Sequence, residues 1–299
     1  MINARVVQAT PDGGNAQHLP DQAVASVVFV TPENSTRLAI KNAFMKETAA
    51  KLSNNVYPTR VIANIKGALN GLSRSDLCCV LSLPDNRFGR MAPFLDLVQG
   101  MPIQVTQNVA TAKGVANGTL GILEYVHFPT GTHYRLVHDG ATSTIVQLPS
   151  QSPDYALIRV PRPHAASIRP GLDPELFPVF SQRKRIRKQL SRSYRLQMGS
   201  RATSKVHPQQ FPFVCAVGST VYKVQGETLQ SMIVVDWKST QPLANKPQQT
   251  YLLVSRVTTR NGLTALAPLT PKLVEWSKPS DHALHEEERL NDLSNATLE

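Results

Sequence analysis

The chain carries its continuous apolar runs towards its two ends: VASVVFVT (24–31) before the middle, and FPFVCAVGSTVY (211–222), SMIVVDW (231–237) and TYLLVSRV (250–257) after it. A strand that is apolar without alternation is buried on both faces, the condition of a strand inside an α/β sheet. The first run is followed by Pro32 and by Asn34, Ser35 and Thr36, which offer a turn and helix caps, and then by RLAIKNAFMKETAAKL (37–52). There Leu38, Ala39, Asn42, Met45 and Ala49 share one helical face, so a strand feeding a helix is expected. Between the two groups the texture changes. From Met101 onward PIQVTQNV, GTLGILEYVHF, THYRLVHD and TSTIVQLP are short strand-like pieces at roughly ten-residue spacing, the pattern of a small β-barrel or meander. The order α/β, small β, α/β predicts one sheet interrupted by an inserted domain. The reading therefore divides the chain into a polar connector (1–25), a discontinuous α/β domain (26–110 and 209–272), a β insert (111–208) and an acidic helix or tail (273–299). The segment 73–100 mixes helix and loop signals and takes no assignment.

Charge is distributed as unevenly as apolarity. Of the formal net +11, the stretch 159–205 holds twelve Lys/Arg against Asp173 and Glu175, a local net of +10. From Glu275 onward seven acids face two bases, a net of −5. Such asymmetry points to a polyanion-facing surface and a solvated acidic end. No window approaches 18 uninterrupted apolar residues and MINARVVQATPDGG lacks a signal pattern, so no membrane partner is expected and an intracellular location is. Cys78, Cys79 and Cys215 have neither zinc-site spacing nor an even disulfide framework, and His127, His133 and His138 lack a ligating frame, so no metal site is expected.

Three short stretches carry the candidate chemistry. In VYKVQGETL (221–229) the spacing of Lys223 and Gln225 on a strand-to-turn segment lets both point to one side; Gly226 permits close backbone approach and Thr228 adds a hydroxyl. One cation, one amide, exposed N–H groups and one hydroxyl suit phosphate or sugar, although a strand end before a helix cap has the same appearance. In QQTYLLVSRVTTRNGL (248–263) an apolar run delivers Ser255 and Arg256 to an expected strand end. In GMPIQVTQNVATAKGVANGTLGIL (100–123) Asn117, Gly118 and Thr119 read singly as a hairpin turn.

Together and in this order, the three stretches resemble the C-terminal motor half of the PIF-type (petite integration frequency) superfamily 1 DNA helicases, a group close to the RecD-like enzymes. The resemblance rests on Gly100, Met101, Pro102, Asn108, Gly114, Asn117, Gly118 and Thr119; on Ala216, Lys223, Gln225, Gly226, Thr228 and Leu229; and on Tyr251, Ser255, Arg256, Val257 and Thr258. It runs from about residue 26 to about 270, with 125–205 matched by position only. Gln107, Tyr222 and Val224 depart from the family pattern.

The resemblance implies a second RecA-like domain of the P-loop NTPase type with an inserted small β-barrel, and roles in DNA repair and recombination. It implies Arg256 as an arginine finger on the γ-phosphate of ATP bound by a preceding domain, Gly226, Glu227 and Arg256 near that nucleotide, and Asn117, Gly118, Thr119, Lys223, Gln225, Thr228 and Ser255 as contacts to single-stranded DNA. It implies ATP and Mg²⁺ as cofactors of a complete enzyme only. The sequence holds no Gly-rich loop ending in Gly-Lys-Ser/Thr and no apolar strand ending in Asp-Glu ahead of Lys223, so this chain alone is expected to bind neither and to be inactive alone. A RecA-like partner domain carrying the P-loop, in cis or in trans, is expected, the chain being a fragment or mis-split gene product; the alternatives are a non-catalytic nucleic-acid-binding protein and an inactive helicase remnant.

The basic block SQRKRIRKQLSRSYRLQMGSR (181–201) supplies the remaining candidates. As a helix it would set Arg183 and Arg187, and Lys184 and Lys188, in mutually repelling i,i+4 rows that favour a phosphate backbone nearby. RKRIRK (183–188) also reads as a nuclear localisation signal, which favours nucleus over mitochondrion, or as a solvated loop. Tyr194 is the one aromatic in the block, so no base-stacking platform is expected there.

Overall fold

A computed structural model describes residues 27–67, 88, 91–161, 170–183, 186–189, 203–238 and 248–298. The chain forms two compact units, residues 1–39 with 218–299 and residues 40–217. It opens with β1 (Val28–Thr31), buried except at Phe29, and passes through Pro32 into α1 (Asn34–Lys51). This is the expected strand and helix, the helix starting three residues earlier. Of its predicted apolar face, Met45 is buried at 1% exposure whereas Leu38 is 49% exposed.

The second unit then runs, among the described residues, through β2 (Thr59–Ile62), β3 (Asn64–Gly67), β4 (Phe94–Leu97), β5 (Pro102–Val105), β6 (Leu120–His127), β7 (Tyr134–Asp139), β8 (Thr144–Pro149), β9 (Tyr155–Arg159), β10 (Leu176–Phe180), β11 (Gln182–Arg183), β12 (Ile186–Gln189), β13 (Thr203–Gln210) and β14 (Phe213–Cys215). One sheet has the order β10-β9-β6-β5-β14 and is antiparallel throughout. On β9 and β10 the buried Ala156, Ile158, Phe177 and Val179 alternate with half-buried or exposed residues, the signature of one wet face, whereas β5 is buried from Ile103 to Val105 and β14 is buried throughout. A second sheet runs β4-β2-β8-β7, and in a third β13 lies between β3 and the β11/β12 strand. The β-rich texture expected from Met101 is present. Its strands, however, pair with β2, β3 and β5 from outside 111–208, and the compact unit spans 40–217 rather than the insert read from the sequence. Among the described residues no ladder closes on itself.

The second sheet is pinned by a cluster with no sequence signature. Arg60 on β2 donates through Nε and Nη2 to Asp96 of β4 at 2.6 and 3.1 Å, and through Nη1 to Asp139 at the end of β7 at 3.1 Å. Its guanidinium also lies 4.7 Å from the Phe94 ring centroid. Burial alone would raise the Asp139 carboxyl, but hydrogen bonds from Arg60 and Thr142 outweigh it and hold the pKa at about 2.

The chain then returns to the first unit through β15 (Gly218–Thr220), β16 (Met232–Val234), α2 (Gln248–Val254), β17 (Leu263–Ala265), α3 (Pro271–Trp276) and α4 (Asp281–Leu298). The four strands form a parallel sheet in the order β15-β1-β16-β17. FPFVCAVGSTVY, expected as one strand, is two: β14 belongs to the antiparallel sheet and β15 to the parallel one. The segment expected as a strand at 250–257 is helical over its first half. Parallel β16 and β17 cannot be joined by a hairpin, and α2 lies in the crossover between them. Its buried residues Gln249, Thr250 and Leu253 fall on one helical face. Thr270 accepts from the Leu273 N–H ahead of Pro271 and caps α3, while α4 carries the exposed acidic tail. No helix among the described residues is long and apolar enough to cross a membrane.

Removing one partner of the buried Arg60 cluster strands two carboxylates. Arg60→Met is expected to cost about 3 kcal/mol, measured as a shift in the urea midpoint. Because the folded pKa of Asp139 lies below its unfolded value of about 3.9, its contribution is present above pH 4 and lost as pH falls towards 2. The wild-type melting temperature should therefore drop across that window, and Asp139→Asn should flatten the drop.

Candidate functional site

In the first unit the VYKVQGETL stretch folds as a turn at the end of β15. The Thr220 carbonyl accepts from the N–H groups of Lys223 at 2.9 Å and Val224 at 3.3 Å, and Glu227 N–H donates to Val224 at 3.1 Å. The chain is therefore coiled here and not extended. Val221, Val224 and Leu229 are buried at 0, 1 and 4% exposure, while Gln225, Gly226 and Thr228 are exposed and Lys223 is half-buried. In a coil, residues two apart diverge by about 200°. Lys223 and Gln225 accordingly do not share a side, as extended spacing had predicted. Val224, a departure from the family pattern, is a core residue of this turn. Gly226 sits at φ +86°, a conformation that a side chain disfavours, and so permits the reversal before Glu227. Burial holds the Glu227 carboxyl above the usual carboxylate range.

Ser255 and Arg256 follow the last turn of α2. Arg256 Nε donates to the Leu252 carbonyl at 3.1 Å, Nη2 to Ser255 Oγ at 2.9 Å and Nη1 to the Glu227 carbonyl at 3.4 Å. A cation at a helix C-terminus, bonded to its open carbonyls, is favourably placed. The Arg256 carbonyl in turn accepts from Leu229 N–H at 2.8 Å, and Leu229 bridges Val257 in parallel. The Lys-x-Gln-Gly turn and the Ser-Arg turn are thus one hydrogen-bonded assembly. Gly262 closes it: a Cβ there would stand 2.3 Å from the Gln230 carbonyl oxygen. Tyr222, the other departure in this turn, accepts from Gln249 Nε2 at 3.1 Å through its hydroxyl.

The third stretch lies in the second unit, between β5 and β6, and is more than a hairpin. A bridge between Ala110 and Val115 encloses a 3₁₀ turn at Thr111–Lys113, with Gly114 left-handed at φ +75°. Asn117 N–H donates to Asn108 Oδ1 at 3.1 Å, and Gly118 N–H to the Val105 carbonyl at 2.8 Å. Thr119 Oγ1 accepts from Ala116 N–H at 3.0 Å and donates to the Gly114 carbonyl at 3.3 Å. The Asn108 and Thr119 side chains therefore build the loop, and the exposed Asn117 is the one residue of its Asn-Gly-Thr triplet whose side chain faces solvent. Gln107 is 8% exposed, a position that suits an uncharged residue.

Of the basic candidates, Arg183 is exposed on β11, and Arg187 and Lys188 lie on β12. They occupy strands and not the helix that would have aligned them in i,i+4 rows. Lys184 falls outside the described residues. Among the described residues no group of His, Cys, Asp and Glu could hold a metal ion.

No family model and no curated protein matches the chain. Among solved structures it is similar to the Pif1 helicase from Bacteroides in complex with ADP-AlF3 and ssDNA, at 16% identity and a TM-score of 0.48 over 97% of this chain and 48% of that one. Bacteroides Pif1 bound to ssDNA matches at 17% identity and a TM-score of 0.48, covering 90% and 46%. The Pif1 helicase from Candida albicans matches at 16% and 0.47, covering 85% and 49%. The chain spans about half the length of the solved structures it matches.

Gly262→Ala forces a methyl into the Gln230 backbone next to the Leu229–Arg256 bond. It is expected to destabilise the first unit by about 2 kcal/mol, read from urea denaturation. A cost near zero would mean that the two turns are not held by this close approach.

Proposed function

We propose that this chain is the C-terminal motor portion of a PIF-type DNA helicase, which binds single-stranded DNA and supplies Arg256 to an ATP site carried by a separate P-loop domain, in cis or in trans. The observation that carries the reading is the joining of the two motif turns: Leu229 N–H on the Arg256 carbonyl at 2.8 Å, and Arg256 Nη1 on the Glu227 carbonyl at 3.4 Å. A strand-gripping loop and a phosphate-seeking cation that share backbone hydrogen bonds move together. This is the physical requirement for coupling nucleotide state to grip on the track.

In this reading the parallel sheet with α2 is the second RecA-like domain and the β-rich unit is its insert. Lys223, Gln225, Thr228 and Asn117 contact the strand, with Gly226 leaving room for backbone approach. Gly118, Thr119 and Ser255 act by holding the loops. Arg256 would release its Leu252 and Glu227 carbonyls to neutralise charge developing on the γ-phosphate during transfer. Bound on the partner domain, ATP would supply the phosphoryl group and Mg²⁺ would offset its charge.

The folded-back guanidinium favours a second reading, a nucleic-acid-binding protein without catalytic function in which Arg256 is only the C-cap of α2. Two substitutions separate these. Arg256→Ala should leave affinity for oligo(dT) within about twofold, yet lower DNA-stimulated ATP hydrolysis about a thousandfold or more once the chain is combined with its P-loop domain. Lys223→Ala should weaken oligo(dT) binding and make the salt dependence shallower by about one phosphate contact. Unchanged hydrolysis in Arg256→Ala would leave the second reading standing.

A further inference from the structure

One strand of the antiparallel sheet carries a residue too many. In β6, Leu123 is opposite Ile158 of β9 and Tyr125 is opposite Leu157, so Glu124 is an extra residue in the ladder. A bulge of this kind re-aims the side chains that follow it. Without it Tyr125 would share the buried face of Leu123, two residues earlier. With it Tyr125 falls opposite Leu157, on the face turned away from the buried Ala156 and Ile158, and is 51% exposed.

The bulge brings Tyr125 to the wall of a cleft of about 420 Å³ within the second unit. Phe128 and Pro129, in the turn after β6, and Tyr134, at the start of β7, extend that wall. The Phe128 and Tyr134 rings meet edge to face at 79°, centroids 5.8 Å apart. The turn is braced from within, the Pro129 carbonyl accepting from the N–H and the hydroxyl of Thr132 at 3.2 and 2.6 Å. Tyr134 is 46% exposed, and neither its hydroxyl nor that of Tyr125 bonds to a described residue. Burial and the nearby Tyr125 phenol raise the Tyr134 pKa above that of a free tyrosine, so its hydroxyl remains a donor at neutral pH. Large rings left bare with open donors beside them mark a surface that meets a partner.

Charge narrows the partner. Glu124 is the one charged residue that lines the cleft among those described. It shares Arg159 with Asp173 and Glu175, at 2.6, 2.7 and 3.3 Å, so three carboxylates surround one guanidinium and the margin has a surplus of negative charge. Such a margin repels a nucleic-acid backbone and attracts a cation.

We infer that this cleft docks a proline-rich segment of a partner protein, in the polyproline II conformation and with an arginine or lysine beside it. The prolines lie against Tyr125, Phe128, Pro129 and Tyr134, the two hydroxyls donate to the segment's carbonyls, and the cation meets Glu124. Polyproline II has no internal hydrogen bonds, so its carbonyls need outside donors; being ordered before it binds, it suits a small aromatic-lined groove. The inference does not depend on single-strand binding.

Fluorescence anisotropy of a labelled, arginine-flanked oligoproline titrated with the whole chain tests it. The peptide should bind saturably, and a glycine-serine peptide with the same arginines, or an oligoproline flanked by glutamates, about tenfold more weakly. Tyr125→Ala, at an exposed position, should lower affinity about tenfold at an unchanged melting temperature, and Tyr134→Phe, which keeps the ring, about threefold. Oligo(dT) should not displace the peptide. The inference is overturned if the folded chain does not bind the oligoproline, if the glycine-serine peptide binds as well, or if both tyrosine variants bind like the wild type. It is overturned also if oligo(dT) displaces the peptide and Tyr125→Ala weakens oligo(dT) binding, which would make the cleft a nucleic-acid site.

Discussion

One backbone hydrogen bond, from Leu229 N–H to the Arg256 carbonyl, organises the part of this protein that carries its candidate chemistry. It joins a turn that ends one parallel strand to a turn that ends the crossover helix before another. Between them β16 is buried in the sheet. Neither turn has a buried apolar anchor of its own beyond Val221, Val224 and Leu229 on one side and Leu253 on the other. Their exposed polar residues stay in register because the backbones are bonded to each other. Gly262 and Gly226 are the two places where that bonding excludes a side chain, the first by contact and the second by φ.

This also separates residues that act from residues that hold. A motif reading assigns every polar member of a stretch to the ligand. In the 108–119 loop, however, Asn108 and Thr119 spend their side chains on neighbouring backbone, and in the other unit Ser255 accepts from Arg256. Gln225, Thr228 and Asn117 remain exposed. Arg256 also holds, donating to the Leu252 and Glu227 carbonyls; the proposed function would require it to exchange those bonds for a charged phosphate, the stronger acceptor.

Much of the α/β part was legible because continuous apolar runs and a capped helix leave few alternatives, as with VASVVFVT and the helix that follows it. The errors came where local pattern meets a topological demand. TYLLVSRV has strand composition but lies in the crossover between two parallel strands, which requires a helix. FPFVCAVGSTVY is uniformly apolar because both of its strands are buried, in different sheets. The Arg60–Asp96–Asp139 cluster joins residues 36 and 79 positions apart, and no local spacing announces such a contact. The order of the three motifs survived all this, because motif order is a property of the chain itself.

The central claim is that this chain binds a single strand through a predominantly ionic surface. Fluorescence anisotropy of a labelled oligonucleotide, titrated with the purified chain at several salt concentrations beside a duplex of equal length, tests it most directly. The account predicts preference for the single strand and a log–log salt slope of several units. A folded protein that binds neither, or that prefers the duplex, would contradict it.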